Sequence, residues 1–191
     1  NNTTMRKLII VIDAQRDFLE GSLSVEGAPQ MMDRLADYIR QHDGDYQLKV
    51  FTQDWHPHNH SSFQTNGGIW PVHCLQHSDG AGIRSSLVEA AEATAGKCVY
   101  LTKGIRPEVE EYSIFDNQES ADRLRRLVAD ENIEQIDICG VAREYCVKES
   151  LLGAIRLFGA GSVHLLDRFV AAISDEHALD QIVRDYTITV E

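Results

Sequence analysis

Three residues that could share one hydrolytic reaction each follow a short apolar run. Asp13 and Lys103 come directly after residues 8–12 and 98–102, and Cys146 opens a helical segment shortly after a third run. A cysteine in the first helical turn lies near unpaired N–H groups and the positive end of the helix dipole, which favour the thiolate over the thiol. Acyl transfer needs a nucleophile, a group that takes its proton and a fixed positive charge. The three residues together therefore predict a cysteine hydrolase with an Asp-Lys-Cys triad.

Each member of this triad also has a structural interpretation. A helix that faces a sheet often buries a cysteine, so Cys146 taken alone is more often structural than catalytic. Asp13 could cap the turn after its strand, and Lys103 alone would be a solvated loop lysine. The catalytic interpretation depends on the three occurring together and on the helix-start position of Cys146.

A second group of residues has the types that bind transition metals. Asp54 and His56 follow another apolar run, His58 and His60 lie close behind, and His73 stands further along the chain. One carboxylate oxygen with two or three imidazole nitrogens suits zinc, iron or manganese and leaves positions open for water or substrate. Histidines in a polar loop are often only solvated, and that alternative stays open at this point.

Three aromatic residues are candidate walls of a substrate pocket. The rings of Phe18, Trp70 and Tyr112 offer flat apolar surface, with a polar tip on two of them. Packing in the core or on the surface is an equally good explanation for each ring.

The elements that would position these side chains alternate along the chain. Strand-like runs occur near residues 7–12, 48–53, 98–102, 134–139, 162–167 and 186–190. Apolar residues at helical spacing lie between them, near residues 31–39, 84–95, 121–128, 147–158 and 178–182. Apolar strands that are each followed by a helix predict a three-layer α/β/α sandwich with a mainly parallel central sheet, as one domain over residues 1–191. In such sheets ligands bind beyond the carboxyl ends of the strands.

The composition limits the partners that the chain can have. It has 191 residues, of which 43% are apolar and 25% charged, and a formal charge of -12. This charge repels a phosphate backbone, so nucleic acid is not expected as a partner. The sequence contains no apolar run of about 18 residues, so it predicts no membrane-spanning helix. The first residues lack a signal-peptide pattern, which predicts a cytosolic protein, and residues 1–4 are expected to be a cloning remnant before a native start at Met5.

The motifs resemble those of the nicotinamidase branch of the isochorismatase-like cysteine hydrolases along nearly the whole chain. The matching segments are Asp13-Ala-Gln-Arg-Asp-Phe18, Thr52-Gln-Asp-Trp-His56-Pro, Trp70-Pro-Val-His-Cys74, Lys103-Gly104, Tyr112-Ser-Ile-Phe115 and Gly140-Val-Ala142 with Tyr145-Cys-Val147. Arg16 is a departure, because many relatives have a small polar residue there. The resemblance implies the same fold and the same triad.

The resemblance also implies a metal site. Asp54, His56 and His73 would bind one divalent ion, with zinc expected first and iron or manganese as alternatives. His60 would be a further ligand or the partner of a ligand.

A further implication concerns the backbone beside the nucleophile. The family has a cis peptide bond in the segment that matches Val141–Ala142. The amide groups of Ala142 and Cys146 would then form the oxyanion site, and the substrate ring would lie between Phe18 and Trp70.

By this resemblance the chain is expected to convert nicotinamide to nicotinate and ammonia, a step of NAD salvage, and to accept pyrazinamide. One alternative is a related amidase that acts on another small amide or on an N-carbamoyl compound. Another is a non-catalytic metal-binding or interaction module on the same scaffold. A homo-oligomer formed through apolar helix faces is compatible with the sequence.

Overall fold

The computed structural model describes residues 4–191, so the expected cloning remnant at residues 1–4 lies almost wholly outside the described residues. Six strands form one sheet, and every pair of neighbouring strands is parallel. The strands are Lys7–Ile12 (β1), Tyr46–Asp54 (β2), Lys97–Lys103 (β3), Gln135–Val141 (β4), Val163–Ala171 (β5) and Thr189–Val190 (β6).

The strand order across the sheet is β3-β2-β1-β4-β5-β6. The chain moves outward from β1 to β3 and then returns to place β4 on the other side of β1. Ligands in such sheets bind at this reversal, beyond the carboxyl ends of the strands. Asp13 follows β1 and Cys146 follows β4, so the two residues flank the reversal.

The helices cover both faces of the sheet. They are Arg16–Leu19 (α1), Ala28–Gln41 (α2), Ser85–Ala93 (α3), Gln118–Asp130 (α4), Lys148–Phe158 (α5) and Asp180–Tyr186 (α6). Because crossovers between parallel strands are right-handed, α2 and α3 lie on one face, where they pack together, and α4 and α5 lie on the other. The predicted α/β/α sandwich is confirmed. Among the described residues, no helix combines the length and apolar character needed to cross a bilayer.

Burial in the central strands explains their continuous apolar runs. Every residue of β4 is buried, and β1 is buried from Leu8 to Ile12, as expected for strands covered on both faces. Gly140 has a φ of 124°, and a Cβ there would lie 2.2 Å from the carbonyl oxygen of Ile12. Only glycine therefore allows β4 to approach β1 so closely beside Asp13.

The last predicted strand is wrong over most of its length. Tyr186 ends α6, and Thr187 turns the chain with a left-handed φ of 52°. Only Thr189–Val190 pairs with β5. The aromatic and β-branched residues of this segment have strand propensity. Tyr186 nevertheless lies in a helix, and Thr187 lies in a turn.

The segment that carries the cysteine differs from the prediction in its helix type. Arg143–Val147 form a π-helical turn, and α5 begins only at Lys148. The amide of Val147 donates to the carbonyl of Ala142 at 3.1 Å. Cys146 therefore lies in a wide turn ahead of the α-helix, a feature that is frequent at functional sites.

Candidate active site

The carboxyl ends of β1, β3 and β4 bring the three predicted triad side chains together. Nζ of Lys103 lies 2.8 Å from Oδ2 of Asp13 and 3.6 Å from Sγ of Cys146. Asp13 and Lys103 are fully buried, and Cys146 is 7% exposed. An acid, a base and a thiol thus meet within hydrogen-bond reach, as acyl transfer requires.

The orientation of Asp13 is fixed from both sides. Its backbone has a φ of 49°, a left-handed conformation that is uncommon for non-glycine residues but accessible to aspartate. The hydroxyl of Thr52 donates to Oδ1 at 2.7 Å, and the amide of Asp13 donates to the same hydroxyl oxygen at 3.2 Å. Oδ2 accepts from Lys103, so both carboxylate oxygens have a defined partner.

The surroundings of Cys146 determine the state of its thiol. Burial raises the pKa of Cys146 well above its ordinary value, the Asp13 carboxylate raises it further, and Lys103 lowers it. Burial also raises the pKa of Asp13, against the opposing charge of Lys103. The helix-start position favours a thiolate, whereas burial and the Asp13 carboxylate favour the neutral thiol. A carboxylate with a raised pKa beside the thiol is suited to accept its proton.

Asp54, His56 and His73, the three predicted metal ligands, lie together in one cluster. Oδ2 of Asp54 lies 3.4 Å from Nε2 of His56 and 3.6 Å from Nε2 of His73, and all three residues are buried. Oδ1 of Asp54 accepts from Nζ of Lys103 at 2.5 Å, which joins this cluster to the triad. Burial alone would raise the pKa of Asp54, but Lys103 and the two histidines hold it well below its usual value. The carboxylate is therefore available as an anionic ligand.

The hydrogen bonds of the two histidines fit a metal ion. Nδ1 of His56 donates to the carbonyl of Gly104 at 2.8 Å, and Nδ1 of His73 donates to the carbonyl of Pro71 at 2.7 Å. Such bonds fix the tautomer that leaves Nε2 as the ligand atom. Nε2 of His56 is buried without a hydrogen-bond partner in residues 4–191, and a metal ion would satisfy it. Gly104 has a φ of 72°, and a Cβ there would lie 2.4 Å from Cε1 of His56.

His60 is engaged in a different way. Its Nε2 donates to the carbonyl of Val109 at 2.9 Å, and its Nδ1 lies 2.7 Å from the hydroxyl of Ser62. Because both ring nitrogens have protein partners, His60 offers no free ligand atom. Its ring packs 4.0 Å from the ring of His56, so the geometry favours a supporting role beside a ligand. His58 is exposed.

The three predicted aromatic walls line one cavity. Phe18, Trp70 and Tyr112 surround it together with Cys146. Nε1 of Trp70 donates to the hydroxyl of Tyr112 at 3.3 Å, which fixes two of the rings relative to each other. The cavity therefore has flat apolar walls beside the thiol.

Sequence reasoning missed four further residues of this cavity. They are Leu23, Glu110, Tyr145 and Ile173. The ring of Tyr145 lies 5.0 Å from Trp70 in a T-shaped arrangement, and its position next to Cys146 in the sequence could have pointed to it. No comparable signal marks Ile173, which lies far from the other site residues in the sequence. Arg16 does not line the cavity, because its side chain is 59% exposed and pairs with Glu20 at 3.3 Å.

The backbone beside Cys146 has the conformation that the resemblance implied. The peptide bond between Val141 and Ala142 is cis. The amides of Tyr145 and Val147 both donate to the carbonyl of Ala142 at 3.1 Å, which closes the turn around Cys146. Val141, Ala142 and Cys146 are all buried, and the last two line the cavity.

Comparison with known proteins agrees with this site. Residues 7–189 match the profile of the Isochorismatase domain family. The chain belongs to this family. It is 30% identical over 199 residues to the nicotinamidase of Saccharomyces cerevisiae, and the match covers 89% of this chain and 90% of the relative. The expected resemblance is confirmed, and with it the expectation of a hydrolase that acts on a carboxamide.

Solved structures give the same result at the level of the fold. The pyrazinamidase of Pyrococcus horikoshii in complex with zinc is 31% identical with a TM-score of 0.81, and the match covers 97% of this chain and 98% of that one. A protein of L. infantum in complex with nicotinate is 29% identical with a TM-score of 0.83, covering 99% and 93%. The fold is therefore that of zinc-binding and nicotinate-binding relatives.

Proposed function

We propose that the chain is a metal-dependent cysteine amidohydrolase that converts nicotinamide to nicotinate and ammonia. The observation that carries the proposal is the position of Lys103, whose Nζ contacts Asp13, Asp54 and Cys146. One ammonium group thus joins the triad to the metal cluster beside one cavity. The nicotinamidase relative and the nicotinate-bound neighbour support this substrate class.

In the first half of the reaction, Asp13 accepts the thiol proton as the sulfur of Cys146 attacks the carboxamide carbon. Lys103 stabilises the negative charges by its proximity; burial would lower its pKa, but the two aspartates hold it well above its usual value. The carbon–sulfur bond forms and the carbonyl oxygen becomes anionic. The amides of Ala142 and Cys146 bind that oxygen.

In the second half, the carbon–nitrogen bond breaks and Asp13 returns its proton to the departing nitrogen, which leaves as ammonia. A water molecule then attacks the thioester carbon while Asp13 takes one of its protons. The carbon–sulfur bond breaks, the sulfur of Cys146 recovers that proton, and the acid that forms releases the second water proton to solvent and leaves as nicotinate.

Asp54, His56 and His73 would hold one divalent ion. Zinc is the first choice, given the zinc-bound neighbour and the oxygen and nitrogen donors, and iron or manganese would also suit this ligand set. When bound, the ion supplies a positive charge that attracts the lone pair of the pyridine nitrogen. Lys103 orients the Asp54 carboxylate for this task.

Aromatic side chains would hold the substrate ring. Phe18 and Trp70 offer the two faces, and Tyr112 fixes Trp70 by accepting its N–H group. The carboxamide carbon then faces Cys146 at the inner end of the cavity.

Several wider assignments accompany this proposal. The reaction would serve NAD salvage, and pyrazinamide would be a second substrate. Residues 1–191 would form one domain, because one sheet and one apolar core run through the described residues. A cytosolic location and a homo-oligomer stay predictions.

The test is ammonia release from nicotinamide by the purified protein, before and after treatment with a chelator. We expect turnover that the chelator abolishes and that added zinc restores. Pyrazinamide and an N-carbamoyl amino acid are assayed in parallel. Activity on the carbamoyl compound alone would assign the chain to a related amidase, and no activity of the zinc-loaded protein on any amide would support the non-catalytic module.

A further inference from the structure

The turn that carries Cys146 also holds the loop after β5. The carboxylate of Glu144 accepts three backbone hydrogen bonds, from the amides of Ile173 at 2.8 Å, Ser174 at 2.9 Å and Asp175 at 2.7 Å. Consecutive amides that point at one anion form an anion-binding nest, and here the protein itself supplies the anion. We call this arrangement the Glu144 clasp. It ties the loop to a residue two positions from the nucleophile.

Ile173 connects the clasp to the cavity. Its side chain lines the same cavity as Cys146 and Ala142, although 44% of the residue is exposed. An apolar side chain at the mouth of a cavity has few packing partners to hold it in place. Its position therefore depends on the backbone hydrogen bonds of the clasp.

Arg143 fastens the same turn on its other side. Its guanidinium donates to a carboxylate oxygen of Asp167 at 2.6 Å and to the carbonyl of Val170 at 3.0 Å. Both acceptors belong to β5, so this residue ties the turn to the sheet. Its neighbour Glu144 ties the turn to the exposed loop that follows the strand.

The charge of Glu144 is matched to its contacts. Burial would raise the pKa of Glu144, but the amides of Ser174, Ile173 and Asp175 hold it below its usual value. Hydrogen bonds to an ionised acceptor are about twice as strong as neutral ones. A glutamine could accept at one oxygen only, and its NH₂ group would face the remaining amide donors.

We propose that Glu144 is a positioning residue that holds Ile173 as one wall of the substrate cavity. The inference rests on the proposed amidase function and adds to it a determinant of substrate affinity. Glu144 does not itself line the cavity. Its loss would weaken ring binding equally before and during the reaction, which raises KM and leaves kcat unchanged.

The experiment compares Glu144→Gln, Ile173→Ala, the double variant and the control Glu149→Gln. Glu149 lies on α5 in the same segment and takes no part in the clasp. Amide hydrogen exchange at residues 173–175 is measured in the free protein, and KM and kcat are measured with nicotinamide. Thermal melting records whether each variant folds.

In Glu144→Gln we expect exchange at residues 173–175 to rise by about tenfold or more, because each lost hydrogen bond releases the loop. KM should rise about three- to tenfold, with kcat within about twofold of wild type. Ile173→Ala should raise KM by a similar factor, and the double variant by no more than the larger single change. Glu149→Gln should match wild type in every readout.

Unchanged exchange at residues 173–175 in Glu144→Gln would overturn the proposal, as would KM effects that multiply in the double variant. If Glu144→Gln does not fold, Glu144→Asp keeps the charge with a shorter reach and should give a smaller rise in exchange and KM. Failure of the proposed function would look different, because the wild type would release no ammonia. The exchange measurement would still decide whether the clasp holds the loop.

Discussion

Two buried aspartates at opposite ends of the sheet have very different surroundings. Asp13 lies beyond the carboxyl end of β1, where Lys103 separates it from Asp54. Close to this pair, the thiol of Cys146 lines a cavity and Nε2 of His56 has no hydrogen-bond partner within residues 4–191. This end of the sheet keeps reactive atoms available to a substrate.

Asp137, near the amino end of β4, has all of its partners supplied by the protein. Its Oδ2 accepts from the hydroxyl of Tyr46 at 2.5 Å, and its Oδ1 accepts from the side-chain amide of Gln135 at 2.8 Å. Nζ of Lys7 lies 3.8 Å away and supplies the positive charge. Asp137 is fully buried. Each of its carboxylate oxygens therefore accepts a hydrogen bond from the protein.

The comparison shows that a buried charge does not by itself indicate chemistry. Asp13 and Asp137 are equally buried, and each lies near a lysine. His164 and Glu191 even approach Asp137 closely enough to resemble a metal cluster, but Lys7 already provides the cation there. Function is indicated by unpaired atoms beside a cavity, and complete pairing indicates stability.

The largest effect is expected from removing the sulfur at the carboxyl end. Cys146→Ala should lower kcat/KM for nicotinamide by about a thousandfold or more, because loss of a nucleophile removes the covalent route. Ammonia release measures the change, and metal content should stay at the wild-type level. Cys98→Ala, on the edge strand β3, is the control and should keep its activity. Retention of about a tenth of the activity by Cys146→Ala would count against covalent catalysis.

Removing a ligand should act on the metal first. His56→Ala should weaken metal binding by about a hundredfold or more, and activity should fall with it, since one of three protein ligands is lost. Metal content of the purified protein checks this, with the exposed His58→Ala as the control. Wild-type metal content in His56→Ala would show that the ligand assignment is wrong.

Removal of a side-chain group near Asp137, at the amino end of β4, should affect stability alone. Tyr46→Phe removes one donor from the buried Asp137 carboxylate and should lower the free energy of unfolding by about 1–3 kcal/mol. Denaturant unfolding measures the loss. A matching fall in kcat/KM of the folded protein would mean that the two ends of the sheet are coupled.

An exposed ion pair should matter least. Arg84 donates to both oxygens of Asp33, which holds the pKa of Asp33 at about 2, but that carboxylate is 49% exposed. Solvent screening limits the contribution to less than about 1 kcal/mol. Because the folded-state pKa is lowered, this stability is present above about pH 4 and is lost as the pH falls through 2. The difference between wild type and Asp33→Asn in unfolding experiments should therefore shrink over that range, and a constant difference would contradict this assignment.

The sequence could predict the site residues that lie at the ends of strands. Asp13, Asp54 and Lys103 each stand at or just beyond the end of an apolar run, and parallel strands bring such positions to one edge. The two histidines proposed as metal ligands could be predicted because their residue type and spacing are typical of ligands. Local patterns thus locate residues whose position depends on a single strand.

Features that depend on distant segments could not be predicted. The clasp between Glu144 and residues 173–175 requires knowing where the loop after β5 folds. The raised pKa of Cys146 comes mainly from burial, which no local sequence pattern reports. The engagement of His60 by Val109 likewise joins segments far apart in the chain.

Gly104 is a position in the site at which no other residue should be tolerated. The residue after the triad lysine leaves the space that the His56 ring occupies, and its carbonyl fixes that ring. Any side chain at position 104 would collide with the imidazole of His56. It would therefore disturb both His56 and the neighbouring Lys103. A library randomised at position 104 and selected for growth on nicotinamide should return glycine almost exclusively. Redesign of the proposed metal site therefore has to begin at a position other than 104.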